Sequence, residues 1–179
     1  MVRFDEGNHV LHELKFQRST EELLYQLEHD DAIGRIEAAR ELRPQAGDQT
    51  VRLALQRRAQ NDSFWAERRE AINALASLKS PALRDFYKER FSDKKSGVRV
   101  AAARALGELK DSSLAPFFTK QFFADNSYLV QAELLKSLGR CGAVSSIPFL
   151  RDASLLSSPR KVLQSSAKAA MDELTKIRP

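Results

Sequence analysis

Across residues 93–109, DKKSGVRVAAARALGEL, apolar side chains return at helical spacing. Val98, Ala102, Ala105, Leu106 and Leu109 fall on one face of an α-helix. The pattern recurs along the chain. Arg99 has counterparts at Arg35, Arg68, Gln131 and Gln164, separated by 33, 31, 32 and 33 residues. Three places after each stands Ala38, Ala71, Ala102, Leu134 or Ala167, and seven places after stands Leu42, Leu75, Leu106, Leu138 or Met171. A period in the low thirties is the signature of a repeat architecture. A second set aligns upstream of the first: Leu23, Ala54, Phe86, Phe117 and Leu150. The two sets predict ten helices in five pairs, an all-α fold built as a right-handed α-α superhelix. Alanines crowd the second helices and predict close packing there, while the large aromatics of the first helices fill the opposite side.

Turn chemistry sets the predicted boundaries. Ser19 with Glu22 is a capping box opening the first helix. Asp30-Asp31, Asp48, Asn61-Asp62-Ser63, Asp111-Ser112-Ser113, Asp125-Asn126 and Ser145-Ser146 mark further starts, and Pro44 ends the second helix. Ser80-Pro81 and Ser158-Pro159 each predict a cap followed by proline at the first helical position. Gly139 and Gly142 read as the close of the eighth helix. Residues 1–16 stand outside the repeat. Val2 and Phe4 alternate with polar neighbours, Asp5-Glu6-Gly7-Asn8 is a turn sequence, and Val10, His12, Leu14 and Phe16 alternate again, which predicts a β-hairpin. A helix from His9 onward is the alternative, since Val10, Leu11 and Leu14 would share a face.

The helix pairs resemble HEAT repeats. Asp62, Asp93 and Asp125 each lie six residues before Arg68, Arg99 and Gln131. In HEAT arrays an Asp in the turn and an Arg on the following helix form hydrogen-bonded ladders between neighbouring repeats. The resemblance therefore gives Arg35, Asp62, Arg68, Asp93, Arg99 and Asp125 a structural role, consistent with the strength of a charge-assisted bond. The first pair departs, with His29 in place of Asp beside Asp30, and the last has Ser158 and Gln164. Gln131 and Gln164 are candidate contacts on the concave face.

Charge adds an asymmetry. Residues 1–45 carry 6 Lys/Arg and 10 Asp/Glu, residues 46–179 carry 23 and 14, and the whole chain is +5. An anionic partner for the basic part is one reading, and the ordinary mixed surface of a repeat array is the other. Arg57-Arg58, Arg68-Arg69, Lys94-Lys95 and Arg160-Lys161 are basic clusters. Phe64 and Trp65, at the start of a second helix, are expected in the core rather than stacked on a base. The longest apolar runs are too short for a transmembrane helix. Cys141 is the single cysteine, which excludes an internal disulfide and favours a reducing, cytoplasmic setting. It reads as a small buried residue rather than a nucleophile.

No catalytic or metal-ligating residue is assigned. His12-Glu13 begins like H-E-x-x-H, but Phe16 stands where the second histidine belongs, and His9 with His12 lacks a third ligand. No phosphate-binding glycine loop is present.

The N-terminal 45 residues carry a more specific likeness. Val2-Arg3-Phe4-Asp5, Gly7-Asn8, Lys15-Phe16-Gln17-Arg18-Ser19, Glu21 through Leu27, Ile33-Gly34-Arg35 and Ala38-Ala39 resemble a junction in zinc aminopeptidases of the aminopeptidase N type. There a β-sandwich ends in a hairpin and a helical superhelix follows. The resemblance implies that residues 1–18 end a preceding β-sandwich domain and residues 19–179 form a HEAT-like domain. The chain would then be a non-catalytic C-terminal fragment, with zinc and the catalytic glutamate held in an upstream domain. Its partners would be those upstream domains and the peptide substrate, whose access it limits, with no membrane and no nucleic acid. Two alternatives stay open: a nucleic-acid-binding HEAT protein similar to the alkylpurine DNA glycosylases, and a free-standing protein-interaction scaffold.

Overall fold

The computed structural model describes residues 17–176. The hairpin read over residues 1–16 lies outside the described residues, as do His9 and His12. Among the described residues every regular element is helical, and the chain divides after Leu78 into two compact units.

The first unit holds α1 (Thr20–His29), α2 (Ala32–Glu41), α3 (Gln49–Asn61) and α4 (Trp65–Ala76). Ser19 closes the capping box on α1: it accepts from the Glu22 N–H at 3.2 Å, and the Glu22 carboxylate accepts from the Ser19 N–H at 2.8 Å. Asp31 caps α2 through the Ile33 and Gly34 N–H groups, and Asp48 caps α3 through Thr50 and Val51. The second helices α2 and α4 pack side by side, and α3 packs on α4. Leu27, Ala38, Leu42, Val51, Leu55, Ala71, Ile72 and Leu75 form the fully buried core.

The second unit holds α5 (Arg84–Glu89), α6 (Ser96–Glu108), α7 (Ala115–Ala124), α8 (Tyr128–Arg140), α9 (Ile147–Ala153) and α10 (Val162–Thr175). Here α8 lies between α6 and α10, against both. The first helices are shorter than their sequence suggests, because a 3₁₀ turn precedes each of α5, α7 and α9. Ser80-Pro81 therefore opens a 3₁₀ turn, with the Leu83 N–H bonded to the Ser80 carbonyl at 3.0 Å, and α5 starts only at Arg84. Ser158-Pro159 likewise opens a turn, in which Arg160 and Lys161 are both left-handed (φ 52° and 54°) before α10 begins at Val162. Ser158 still caps α10, because its hydroxyl accepts from the Leu163 N–H at 3.0 Å.

Of the residues aligned seven places after Arg99 and its counterparts, Leu42, Leu75, Leu106 and Leu138 are fully buried and Met171 is half-buried. On the first helices of the third and fourth pairs the deepest residue is one place beyond the alignment: Tyr87 and Phe118 are fully enclosed, and Phe86 and Phe117 are half-buried.

The two glycines of α8 and its end do different work. Gly142 (φ 73°) closes the helix in a Schellman arrangement, with the Ala143 N–H on the Leu138 carbonyl. Gly139 is a packing residue inside the helix: a Cβ there would stand 2.8 Å from the Ala170 Cα of α10. Because that obstacle is backbone, Gly139→Ala should lose about 1–2 kcal/mol of stability, overpacking outweighing the gain in helix propensity. Urea denaturation checks this, and a rise in stability would show that α8 and α10 separate freely.

Candidate functional site

The turns joining the first and second helix of each pair are braced from within. Asp62, Asp93 and Asp125 each bend their own turn, with one carboxylate oxygen accepting from the N–H two residues on: Phe64 at 2.8 Å, Lys95 at 2.8 Å and Ser127 at 2.9 Å. The residue of the Arg99 set then reaches back to the same turn. Arg35 donates to the Asp30 carbonyl, Arg68 to the Asp62 carbonyl and Arg99 to the Asp93 carbonyl, each at 2.8 Å, and Gln131 to the Asp125 carbonyl at 2.9 Å. The acidic residue six places before each of Arg68, Arg99 and Gln131 thus gives its main chain to that residue.

Two of these carboxylates, Asp62 and Asp125, face the preceding repeat of their own unit. Arg35 holds Asp62 bidentately at 2.8 and 3.0 Å, and Arg99 holds Asp125 at 2.6 and 2.9 Å. Both aspartates are buried, and the bond from Asp125 raises the affinity of Arg99 for its proton. Gln131 also donates to the Phe122 carbonyl at 3.1 Å, and the Gln164 amide oxygen accepts from Ser158 at 2.8 Å, so both glutamine amides are hydrogen-bonded within their own repeats.

A second rung escaped the sequence reading. Arg40 lies 3.5 Å from Glu70 in the first unit, and Arg104 lies 3.2 Å from Glu133 in the second. Arg140 adds a bond to Glu133 at 2.7 Å. Burial pushes the Glu133 carboxyl up, yet Arg140 and Arg104 outweigh it and leave it below its usual value. The signal was present: Arg40 and Arg104 stand five places after Arg35 and Arg99, and Glu70 and Glu133 two places after Arg68 and Gln131.

Among the described residues one buried acid has no hydrogen-bond partner. Glu67, in the first turn of α4, is fully buried, and neither carboxylate oxygen receives a hydrogen bond. Burial, reinforced by Asp62 and opposed by Arg35 and Arg58, raises its pKa to about 7. The matching residues of the other second helices are Gly34, Val98, Val130 and Leu163. The Tyr87 hydroxyl is likewise buried and unbonded, at a place where Leu55 and Phe118 stand in neighbouring pairs. Tyr87→Phe should therefore add about 1 kcal/mol of stability by removing an unsatisfied hydroxyl. A thermal midpoint lower than that of the parent would show that the hydroxyl has a partner.

Cys141 is buried beside the Leu138 carbonyl, and burial pushes its thiol up to about 11, so it stays protonated and unreactive at neutral pH. Among the described residues no group of three His, Cys, Asp or Glu side chains is placed to hold a metal ion. His29 lies against Tyr25, with ring centroids 4.4 Å apart and the planes tilted by 43°. No described helix is long and apolar enough to cross a membrane.

What the braced turns do present is apolar surface. In the first unit Ile33 and Phe64 are exposed at the starts of α2 and α4, and half-buried Trp65 lies beside Phe64 with the Arg69 guanidinium 5.1 Å from its ring. The core position expected for Phe64 and Trp65 is corrected: they stand at the helix start, ahead of the first inward residue Ala66. In the second unit Phe123 ends α7 (72% exposed), Tyr128 and Leu129 begin α8 (Leu129 64%), and Leu155 and Leu156 follow α9 (Leu155 84%). Of the large apolar side chains exposed among the described residues, all but Tyr25 and Leu53 flank such a turn.

The HEAT repeats family model matches residues 20–100 and 85–172. The chain belongs to the HEAT-repeat family. The ten helices of the described residues pair as HEAT repeats do, and the aspartate–arginine rungs lie in the turns of these repeats. A solved structure, the complex of CpcE and CpcF of phycocyanin lyase from Nostoc sp. PCC7120, matches at a TM-score of 0.73 and 23% identity. The match covers 94% of this chain and 69% of that one, and at this identity it speaks to the fold alone. Comparison with curated proteins gives no match. The likeness of residues 2–45 to the aminopeptidase N junction draws no support from the family match or from the structural match.

Proposed function

We propose that this HEAT-repeat chain is a non-catalytic protein-interaction scaffold that binds through the turn edge of its helix pairs. The observation that carries the reading is the gathering of exposed apolar side chains at these turns. Exposed patches of this kind mark sites of association, and Trp, Tyr and Arg are the residue types that anchor interfaces. The rungs support it too, since a binding edge gains when its turns are fixed before the partner arrives. The matched solved structure is a complex of two proteins, which is in keeping with a role in assembly. The zinc-aminopeptidase reading is narrower and rests on the N-terminal motif alone. Under it the scaffold would serve one partner, an upstream catalytic domain.

A photo-crosslinking amino acid placed at position 64 or 129 in the source cells tests the scaffold. We expect one or a few defined proteins to be captured from these positions and to bind the purified chain. A control position on the opposite edge of the second unit, Lys110, should capture none of them. Equal capture from all three positions would refute the reading.

A further inference from the structure

Resting on that scaffold reading, we propose that the turn edge of the second unit docks an acidic polypeptide segment carrying a leucine-sized or aromatic anchor. The order of groups along this edge follows from the packing. Because α8 lies between α6 and α10, the start of α8 lies between theirs. Tyr128 and Leu129 are therefore flanked by Lys94-Lys95 on one side and Arg160-Lys161 on the other.

All four basic side chains are exposed, and none makes an ion pair among the described residues. The acids of the same turns are withdrawn: Asp125 is buried under Arg99, and Asp93 accepts the Lys95 N–H. No acidic residue occupies the first turn of α6, α8 or α10, so the three helix ends add the same sign. The excess extends through the unit, since residues 79–179 hold 18 Lys/Arg and 10 Asp/Glu. Arg160 and Lys161 project their charges from left-handed backbone, a conformation that non-glycine residues adopt at a cost.

The apolar centre selects the class of partner. A nucleic acid would meet the cations with phosphates and could stack a base on Tyr128, but it brings nothing to Leu129, Leu155 and Leu156. A polypeptide with carboxylates around an apolar anchor meets both parts: the charges steer and orient it, and the buried side chain holds it.

The test uses the full chain and a fluorescent synthetic peptide mixing Asp/Glu with Leu and Phe, beside poly-glutamate and a single-stranded DNA oligonucleotide of equal charge. Saturable binding of the mixed peptide is expected, about tenfold tighter than that of poly-glutamate. Lys94→Glu with Lys95→Glu should weaken it about tenfold, and Leu129→Ser alone about fivefold. Lys79→Glu with Lys110→Glu makes the same charge change on the opposite edge and should have less than about a twofold effect. Circular dichroism confirms that each variant is folded. An oligonucleotide that binds as tightly as the peptide, poly-glutamate that matches it, or equal losses from the two charge reversals would each overturn the proposal. Failure of the peptide alongside continued specific crosslinking from position 129 would end this inference and leave the scaffold reading standing. Loss of both would end both.

Discussion

Asp125→Ala is expected to remove about 3 kcal/mol of stability, the larger part of the margin of a small domain. The carboxylate accepts two bonds from Arg99 and one from the Ser127 N–H, and it is buried. Its deletion leaves a half-buried guanidinium bound only to the Asp93 carbonyl and releases the turn between α7 and α8. Asp111→Ala supplies the contrast. It breaks the half-exposed pair with Arg84 at 3.3 Å and the bond from the Ser113 N–H at 2.9 Å, and should cost about 1 kcal/mol. A double-mutant cycle over Arg99 and Asp125, read by urea denaturation, isolates the rung. A coupling no larger than that of Arg84 with Asp111 would show that the rung is a surface contact with no structural weight.

Glu67→Leu should act in the opposite direction and depend on pH. In the unfolded chain this carboxyl titrates near its ordinary value of 4.5, and in the folded chain at about 7. Between those values the folded state holds the extra proton, so stability is greatest below about pH 4.5 and falls as pH rises through the window. Above about 7 the loss is complete. Its size is on the order of 2–3 kcal/mol. The leucine variant has no such slope, so it should exceed the parent by about that amount at pH 8. At pH 5 the difference should be small. Leucine suits the site because Leu163 fills the matching place in the last pair. Parallel pH–stability curves for parent and variant would show that Glu67 has found a partner or water.

The helix pairs were legible because their period is carried by residues that cannot be exchanged freely. Ala71, Ala102 and Ala167 are wholly buried between close helices, and Leu75, Leu106 and Leu138 fill the layer beneath. The same alignment brought out Arg35, Asp62, Arg99 and Asp125. What it could not show is which carboxylate meets which guanidinium, because Asp62 lies six residues from Arg68 and twenty-seven from Arg35, and only the packing of the helices chooses the longer path. The starts of α5, α7 and α9 were misplaced for a local reason. A serine before a proline looks the same whether the first turn is α-helical or 3₁₀. Phe64 and Trp65 were assigned to the core by residue type, yet one position along a helix start separates burial from solvent. Glu67 was hidden by its charge: nothing in a single chain distinguishes a buried glutamate from the many exposed ones.

The rungs also bear on how such a chain changes length. Each takes its guanidinium from one repeat and its carboxylate from the next: Arg35 and Asp62 in the first unit, Arg99 and Asp125 in the second. An in-frame tandem duplication of residues 93–124 would bring a new aspartate to meet Arg99 and a new arginine to meet Asp125, with no compensating substitution. Lengthening by whole repeats is therefore a step that selection can accept at once, whereas an insertion of any other size leaves a buried charge stranded.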